Sequence, residues 1–398
     1  MSDVQDRLAS MTGLLAELVS HPSRTGEDSC DATLHCIAAW LTRRGVASRW
    51  LHDDDGHVLA LWGEIAGPRP GPLYVLNAPA DTAPFGDLAA WTHPPERATL
   101  VDGWLYGRGA ADSKAGIAVF CHVIADLLAQ RDSLCGKLGF VFDAEEHSGS
   151  FAGIRRYLET CMHETINGVM IGYPGNQRVV VGARGFLRAC LHLHGRAAHS
   201  GSSGADGINA IERARELLRL IADSPLPEAG LRFPLPPKVT ATGIRGGGSY
   251  TLIPDHCAID IDLRLTPAFD AGAAQNWLSQ LTATLDARSA APATTITWHP
   301  GWPAYQLPPD QTLVAALLAA AREAYGRDIP PAVVGPSSIA NLLATLAIPA
   351  TAGLGVNYRN IHAPDECVEL ATLEATYQTY LRAMRRLLSC GNGSPLRE

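Results

Sequence analysis

The chain has 398 residues, 46% hydrophobic and 18% charged, a globular composition with material for two or three domains. Its formal net charge of −8 argues against nucleic acid and anionic membrane as partners, and no run approaches the roughly 18 apolar residues of a membrane span. Nine cysteines lie scattered without a C-x-x-C pair, which predicts reduced thiols, used as small core hydrophobes, in a cytoplasmic protein.

The N-terminal segment MSDVQDRLASMTGLLAELVSHPSRTG has neither the basic start nor the continuous apolar stretch of a signal peptide. Leu8, Met11, Leu14, Leu15 and Leu18 recur at helical spacing. Next come the strand-like PLYVL, the helix GIAVFCHVIADLLAQ with a stripe of Ile117, Phe120, Ile124 and Leu127, and the strands KLGFVFD and GVMIG. This β-α-β alternation predicts an α/β fold with a mainly parallel sheet and helices on both faces.

The pattern changes near residue 186. FLRACLHLHGR alternates, with Leu187, Ala189, Leu191 and Leu193 on one face. The helix DGINAIERARELLRLIA, the strands KVTATGIRGG and HCAIDIDLRLT and the helix AAQNWLSQLTATLDA follow. The expectation is an inserted α+β domain over 186–295 within a discontinuous catalytic domain, 1–185 and 296–398. A last helix is expected in LATLEATYQTYLRAMRRLL, and the tail GNGSPLRE is expected to be mobile.

Four places concentrate polar groups near the ends of apolar strands: Asp81 in PADTAP, Asp112 in GRGAADSKAG, Glu145 and Glu146 in FVFDAEEHSGS, and His362 in NYRNIHAPDE. Strand ends are where ligands bind in an α/β sheet. Adjacent carboxylates after an apolar strand are costly unless a cation or hydrogen bonds compensate, and carboxylates with histidine suit zinc, manganese or cobalt. The bland alternative for each acid alone is a solvated loop carboxylate. In VVGPSSIANLL, Gly335, Ser337 and Ser338 open a helix whose N–H groups could hold a substrate carboxylate, although both serines also read as helix caps. There is no G-x-S-x-G elbow, and the glycine-rich GIRGGGSY lies between strands, a poor place for a phosphate loop.

On DTAPFGD..W, DGWLYGRGAADSKAG, DAEEHSG, GARGFLRACLHLHGRAAHSG, LIPD, DIDLRLTP and NIHAPDE, the sequence resembles the zinc aminoacylase and carboxypeptidase G family. That family includes acetylornithine deacetylase and succinyl-diaminopimelate desuccinylase, and the resemblance spans nearly the whole chain. It implies two zinc ions sharing an aspartate and a water, with a glutamate taking the water's proton as an amide is attacked. Carried over, Asp112 is the bridging ligand, Glu145 the general base, and Glu146 and His362 complete the second metal. His199 in AAHSG matches a histidine that reaches the partner subunit's site to stabilise the oxyanion. Arg264 matches an arginine for the substrate carboxylate, the alternative being a structural salt bridge. The inserted domain is implied to be a ferredoxin-like dimerisation and lid domain, hence a homodimer.

The departures are specific. The family's G-H-x-D reads Ala78, Pro79, Ala80, Asp81, so the ligand histidine is gone while its orienting aspartate stays. The other ligand unique to the first metal falls at Tyr173 in IGYPG. The reading is therefore one divalent ion, zinc or else manganese or cobalt, on Asp112, Glu146 and His362, with the other site lost. Tyr173 would act as a neutral phenol donor to the oxyanion. The weaker alternative is rescue of the first metal by His93 or His147, although His147 adjoins Glu146 and is expected to point elsewhere. Thr251 precedes LIPD, where the family often has asparagine. The expected activity is cleavage of an amide bond in a carboxylate-bearing N-acyl amino acid or small peptide-like substrate. The alternatives are a non-hydrolytic reaction (amide formation, cyclisation, elimination or isomerisation), with or without metal, and a non-catalytic binding protein.

Overall fold

In the computed structural model, which describes residues 2–161, 163–201, 206–230 and 233–390, the N-terminal apolar spacing becomes helix α1 (Ser2–Val19). Met11, Leu14, Leu15 and Leu18 on it are buried. There follow α2 (Asp31–Thr42), β1 (Arg49–His52), β2 (Val58–Ala66), β3 (Arg69–Pro79), α3 (Ala115–Ala129), β4 (Cys135–Asp143), α4 (Ala152–Thr160) and β5 (Ile166–Ile171). The next stretch supplies β6 (Gly185–His194), α5 (Ala210–Asp223), β7 (Lys238–Gly246), β8 (His256–Leu265), α6 (Ala271–Asp286) and β9 (Thr295–Trp302). The chain closes with α7 (Thr312–Tyr325), α8 (Ile339–Thr345), β10 (Ala350–Ala352) and α9 (Leu373–Leu387). The tail GNGSPLRE lies outside the described residues.

Contacts divide the chain into two units: Met1–Val181, Leu307–Ala332 and Ser338–Glu398 form the first, Gly182–Gln306 and Val333–Ser337 the second. The first holds a six-stranded sheet in the order β1-β2-β4-β3-β5-β10. Three of its five pairings are parallel, namely β3 with β4, β3 with β5, and β5 with β10. β3 and β4 are buried in near-continuous runs, as a sheet covered by helices requires. α3 buries Ile117, Ala118, Val119, Phe120, Val123 and Ile124, a wider face than the four-residue stripe suggests. A small antiparallel sheet of Thr99–Val101, Trp104–Tyr106, Tyr358–Arg359 and Cys367–Glu369 also belongs to this unit.

The second unit holds an antiparallel sheet in the order β7-β8-β6-β9, with α5 and α6 packed in its core through Ala210, Ala214, Leu217, Ala274 and Leu278. β9 pairs with β6, so this unit runs on past residue 295 to Gln306. The pairing of β9 is non-local, and its register shifts between His299 and Trp302 around Pro300 and Gly301, which blurs its alternation.

One expectation is corrected. Cys135 and Cys390 form a disulfide with Cα atoms 5.2 Å apart, while the other seven cysteines are thiols. The two are 255 residues apart in sequence. They meet because Leu134 bridges Ser389 and the Cys135 N–H donates to Leu388 O, a long-range juxtaposition that no spacing motif announces. Among the described residues, no helix is long and apolar enough to cross a membrane.

Candidate metal centre

Because β3, β4 and β5 are parallel neighbours, their C-terminal ends share one edge of the sheet. Asp81, the run Glu145–Glu146–His147, and Tyr173 follow those ends. Pro79 closes β3 opposite Asp143, and the Ala80 N–H donates to Asp143 O (2.6 Å), so the missing N–H of proline breaks no interior ladder.

Asp112 sits on the turn Ala110–Lys114 that leads into α3. Glu366 fixes that turn: its Oε1 accepts the N–H groups of Ala111 (2.9 Å) and Asp112 (3.1 Å), and its Oε2 pairs with Arg108 Nη1 at 2.6 Å. Arg108 and Glu366 side chains are only 2% and 1% exposed. Lys114 reaches back instead of facing the cluster, donating to Leu18 O and His21 O, and burial lowers its pKa to about 8. Gly116 packs against the backbone of Gly172, too close for a Cβ, which gives the glycine of DSKAG a packing reason.

His362 lies between the strands Tyr358–Arg359 and Cys367–Glu369, with a left-handed φ of 59°. That conformation costs a non-glycine residue about 1–2 kcal/mol. The loop is anchored by Asp365, whose Oδ1 accepts the N–H groups of Thr92 and His93. His362 Nε2 ends 3.0 Å from Asp112 Oδ2.

His147 does not point elsewhere. Its side chain is 9% exposed, with Nδ1 3.3 Å from Asp81 Oδ2 and 3.2 Å from Glu146 Oε2, and Nε2 3.6 Å from Asp112 Oδ2. Neither ring nitrogen makes an aligned hydrogen bond. Donor atoms of Asp112, His147 and His362 all lie within 4.8 Å of one another.

Asp81 retains a task without its histidine. Its carboxylate accepts the N–H groups of Glu146 (3.1 Å) and His147 (2.8 Å) and the hydroxyl of Thr25 (2.7 Å). Glu146 turns one oxygen to Tyr173, whose hydroxyl donates to Oε1 at 2.5 Å. Glu145 is half-buried and held by its backbone: its N–H donates to Asp143 Oδ1, and its carbonyl accepts from Ser148 and Phe151.

The electrostatics follow from several acids in little water. Burial alone would raise Asp112, but the imidazoles of His147 and His362 outweigh it and hold the carboxyl well below its usual range. Burial pushes Glu146 up to about 8, against the pull of His147. Burial would lower His147, yet Asp112, Asp81 and Glu146 raise it to about 11. Burial and Glu146 keep the Tyr173 phenol neutral, its pKa far above the usual value. Burial raises Asp143, which also caps the Ile154 N–H, to about 7.

The remaining predicted residues belong mostly to the second unit. His199 is exposed, with Nδ1 accepting the Gly201 N–H. Arg264 Nε pairs with Asp262 at 2.7 Å, and its Nη1 lies 3.4 Å from Ser337 Oγ, which itself donates to Arg184 O. Gly335 faces the Arg184 guanidinium. Burial, with the charge of Arg264, lowers the Arg184 pKa. Ser338, in the first unit, caps α8 in a capping box with Asn341.

Sequence reasoning named His147 but expected it to point away, and it passed over Glu366, Arg108, Asp143 and Arg184. Arg108, Glu366 and Arg184 lie inside the motifs GRG, APDE and GAR, where a charge amid apolar residues was the available signal. An ion is implied by the chemistry of these donors. Two imidazoles and a carboxylate converge, and both nitrogens of a buried ring lack an aligned partner, so the residues present fit one divalent cation of the zinc type.

The family model described as "Peptidase family M20/M25/M40" matches residues 75–386. A succinyl-diaminopimelate desuccinylase of Stenotrophomonas maltophilia is 29% identical over 391 residues, 96% of this chain and 100% of that one. One of Xylella fastidiosa is 30% identical over 395 residues, with the same coverage. Among solved structures, a tripeptidase from Staphylococcus aureus aligns with a TM-score of 0.77 at 18% identity, covering 96% of this chain and 98% of that one. A Bacillus subtilis protein described as a dinuclear metal binding peptidase aligns with a TM-score of 0.71 at 17% identity, covering 96% and 99%.

Proposed function

The chain belongs to peptidase family M20/M25/M40, and from that premise we propose that it hydrolyses the amide bond of an N-acyl amino acid or small peptide, using one divalent metal and Glu145 as general base. The observation that carries this reading is the 3.0 Å approach of His362 Nε2 to Asp112 Oδ2, with Glu145 on the turn after β4 that also brings His147 Nε2 to 3.6 Å from the same oxygen. Pro79 and Tyr173 replace both ligands expected to be unique to the first metal, which supports a single ion, zinc before manganese or cobalt. When bound, the ion supplies Lewis acidity toward the amide carbonyl and toward water.

The residues then divide the work. Glu145 takes the proton of the attacking water and delivers it to the departing nitrogen, so that amide plus water gives carboxylic acid plus amine. Asp112, Glu146 and His362 would hold the ion, and Arg108 and Glu366 hold the turn that carries Asp112. Tyr173 acts through Glu146, since its hydroxyl is directed there. Arg264, with Ser337, Ser338 and Gly335, is assigned to the substrate carboxylate, an assignment that gains Arg184 as a neighbour. The oxyanion role of His199 and a homodimer built through the second unit extend the same reading. The relatives named above are a desuccinylase and peptidases, and none supports the non-hydrolytic alternative.

A mass-spectrometric screen of N-succinyl, N-acetyl and dipeptide substrates tests the proposal. Hydrolysis appears as two products whose masses sum to substrate plus water, and Glu145→Gln abolishes it. Turnover that adds no water, or that survives in Glu145→Gln, overturns it.

A further inference from the structure

The place of the missing histidine on β3 is taken by proline, yet the aspartate that would orient it is still used. Asp81 accepts the backbone N–H of His147 at 2.8 Å, and its Oδ2 stands 3.3 Å from His147 Nδ1. Glu146 Oε2 flanks the same nitrogen at 3.2 Å. A metal-bound histidine commonly directs its second ring nitrogen at a carboxylate, which sets the tautomer and the ring angle. Here two carboxylates face Nδ1, and Nε2 is turned to Asp112 Oδ2 at 3.6 Å.

We propose that His147, arriving from the turn after β4, is a ligand of the retained metal and forms with Asp112 and His362 a two-histidine, one-carboxylate site in which Asp81 and Glu146 are positioning residues. The inference rests on the one-metal reading above and changes its ligand set: Glu146 moves from ligand to support. The donor spacing fits for His147, while His362 stands at hydrogen-bond distance from the carboxylate and would open by a few tenths of an ångström around an ion. Two donors on one tetrahedral ion at about 2.0–2.2 Å stand roughly 3.3–3.6 Å apart. His147 and His362 approach Asp112 Oδ2 at 3.6 and 3.0 Å. The two rings are 5.3 Å apart between centroids and tilted by 51°, not stacked flat, so both edges can address one point. Glu146, by contrast, has one oxygen engaged by Tyr173 and the other beside Nδ1 of His147.

The histidine has thus moved in sequence from β3 to the turn after the neighbouring strand β4. Because β3 and β4 are paired in parallel, with Pro79 opposite Asp143, the two positions share the same edge of the sheet. Asp81 can serve a ring supplied from either strand.

The test uses the full-length protein, loaded separately with Zn²⁺, Co²⁺ and Cu²⁺, as wild type, His147→Ala, His147→Gln and Glu146→Gln. The readouts are metal stoichiometry by elemental mass spectrometry, affinity by chelator competition, and Cu²⁺ paramagnetic resonance. Circular dichroism checks that each variant is folded. The expected result is one ion per chain in wild type, with nitrogen hyperfine splitting from two imidazoles. Both His147 variants should lose one nitrogen and bind at least 100-fold more weakly, while Glu146→Gln keeps both nitrogens and loses about 10–100-fold in affinity. Wild type carrying one ion with a single coupled imidazole overturns the inference and leaves the one-metal reading standing. A wild type that takes up no ion overturns both. The wild-type nitrogen count needs no variant, so a misfolded mutant does not block the answer.

Discussion

Replacing Glu366 with glutamine removes a charge from beneath Asp112 while preserving shape. In the native site Glu366 Oε2 receives Arg108 Nη1, and Oε1 receives the N–H groups of Ala111 and Asp112. Glutamine keeps one carbonyl oxygen for the two amides and sets an NH₂ group against the guanidinium. Leaving a guanidinium that is 2% exposed without its counter-charge costs about 3–5 kcal/mol. The two amide bonds pass from a charged to a neutral acceptor and weaken by roughly 1 kcal/mol each. The sum, about 5–7 kcal/mol, is comparable with the whole stability of an ordinary domain, about 5–15 kcal/mol. Urea unfolding followed by tryptophan fluorescence, with a double-mutant cycle, measures it. Glu366→Gln should be severely destabilised, and Arg108→Met in the same chain should restore at least 2 kcal/mol, because the stranded charge is then gone. A loss below 1 kcal/mol in Glu366→Gln, or a double variant no better than the sum of its singles, would refute the argument that this pair holds the Asp112 turn.

Tyr173→Phe should lower kcat about 10–100-fold with metal content retained, as expected for a residue acting through Glu146; a fall of about 100–1000-fold would instead mark a direct oxyanion donor, and full activity would dismiss both roles. Burial pushes His122 down to about 4 from 6.5, so between those pH values the unfolded chain binds a proton that the folded chain refuses. Stability is full above pH 6.5 and falls as pH drops toward 4, by up to about 3 kcal/mol, and His122→Gln should flatten this dependence of the urea midpoint, an unchanged slope being the contrary result. In denaturant without reductant, seven thiols should react with a thiol reagent and two more only after reduction; nine at the outset would exclude the Cys135–Cys390 bond.

What was legible in the sequence is what local periodicity encodes. α1, α3, β3 and β4 announce themselves through spacing and apolar runs, and the polar residues after β3 and β4 mark the edge where the site forms. What depends on long-range pairing was not legible: the membership of β9, the meeting of Cys135 with Cys390, and the burial of the Arg108–Glu366 pair across 258 positions. His147 is the most instructive case. In a turn there is no period to say where a side chain points, and adjacency to Glu146 suggested divergence. Divergence did occur, but it carried the ring inward, because Asp81 accepts both backbone N–H groups of that turn and pins it against the sheet edge. The surviving Asp81 was therefore the better clue than the missing histidine. A buried carboxylate without a partner is expensive, so its retention beside Pro79 already required a partner from elsewhere in the fold. Among the described residues, the ring that faces it is His147.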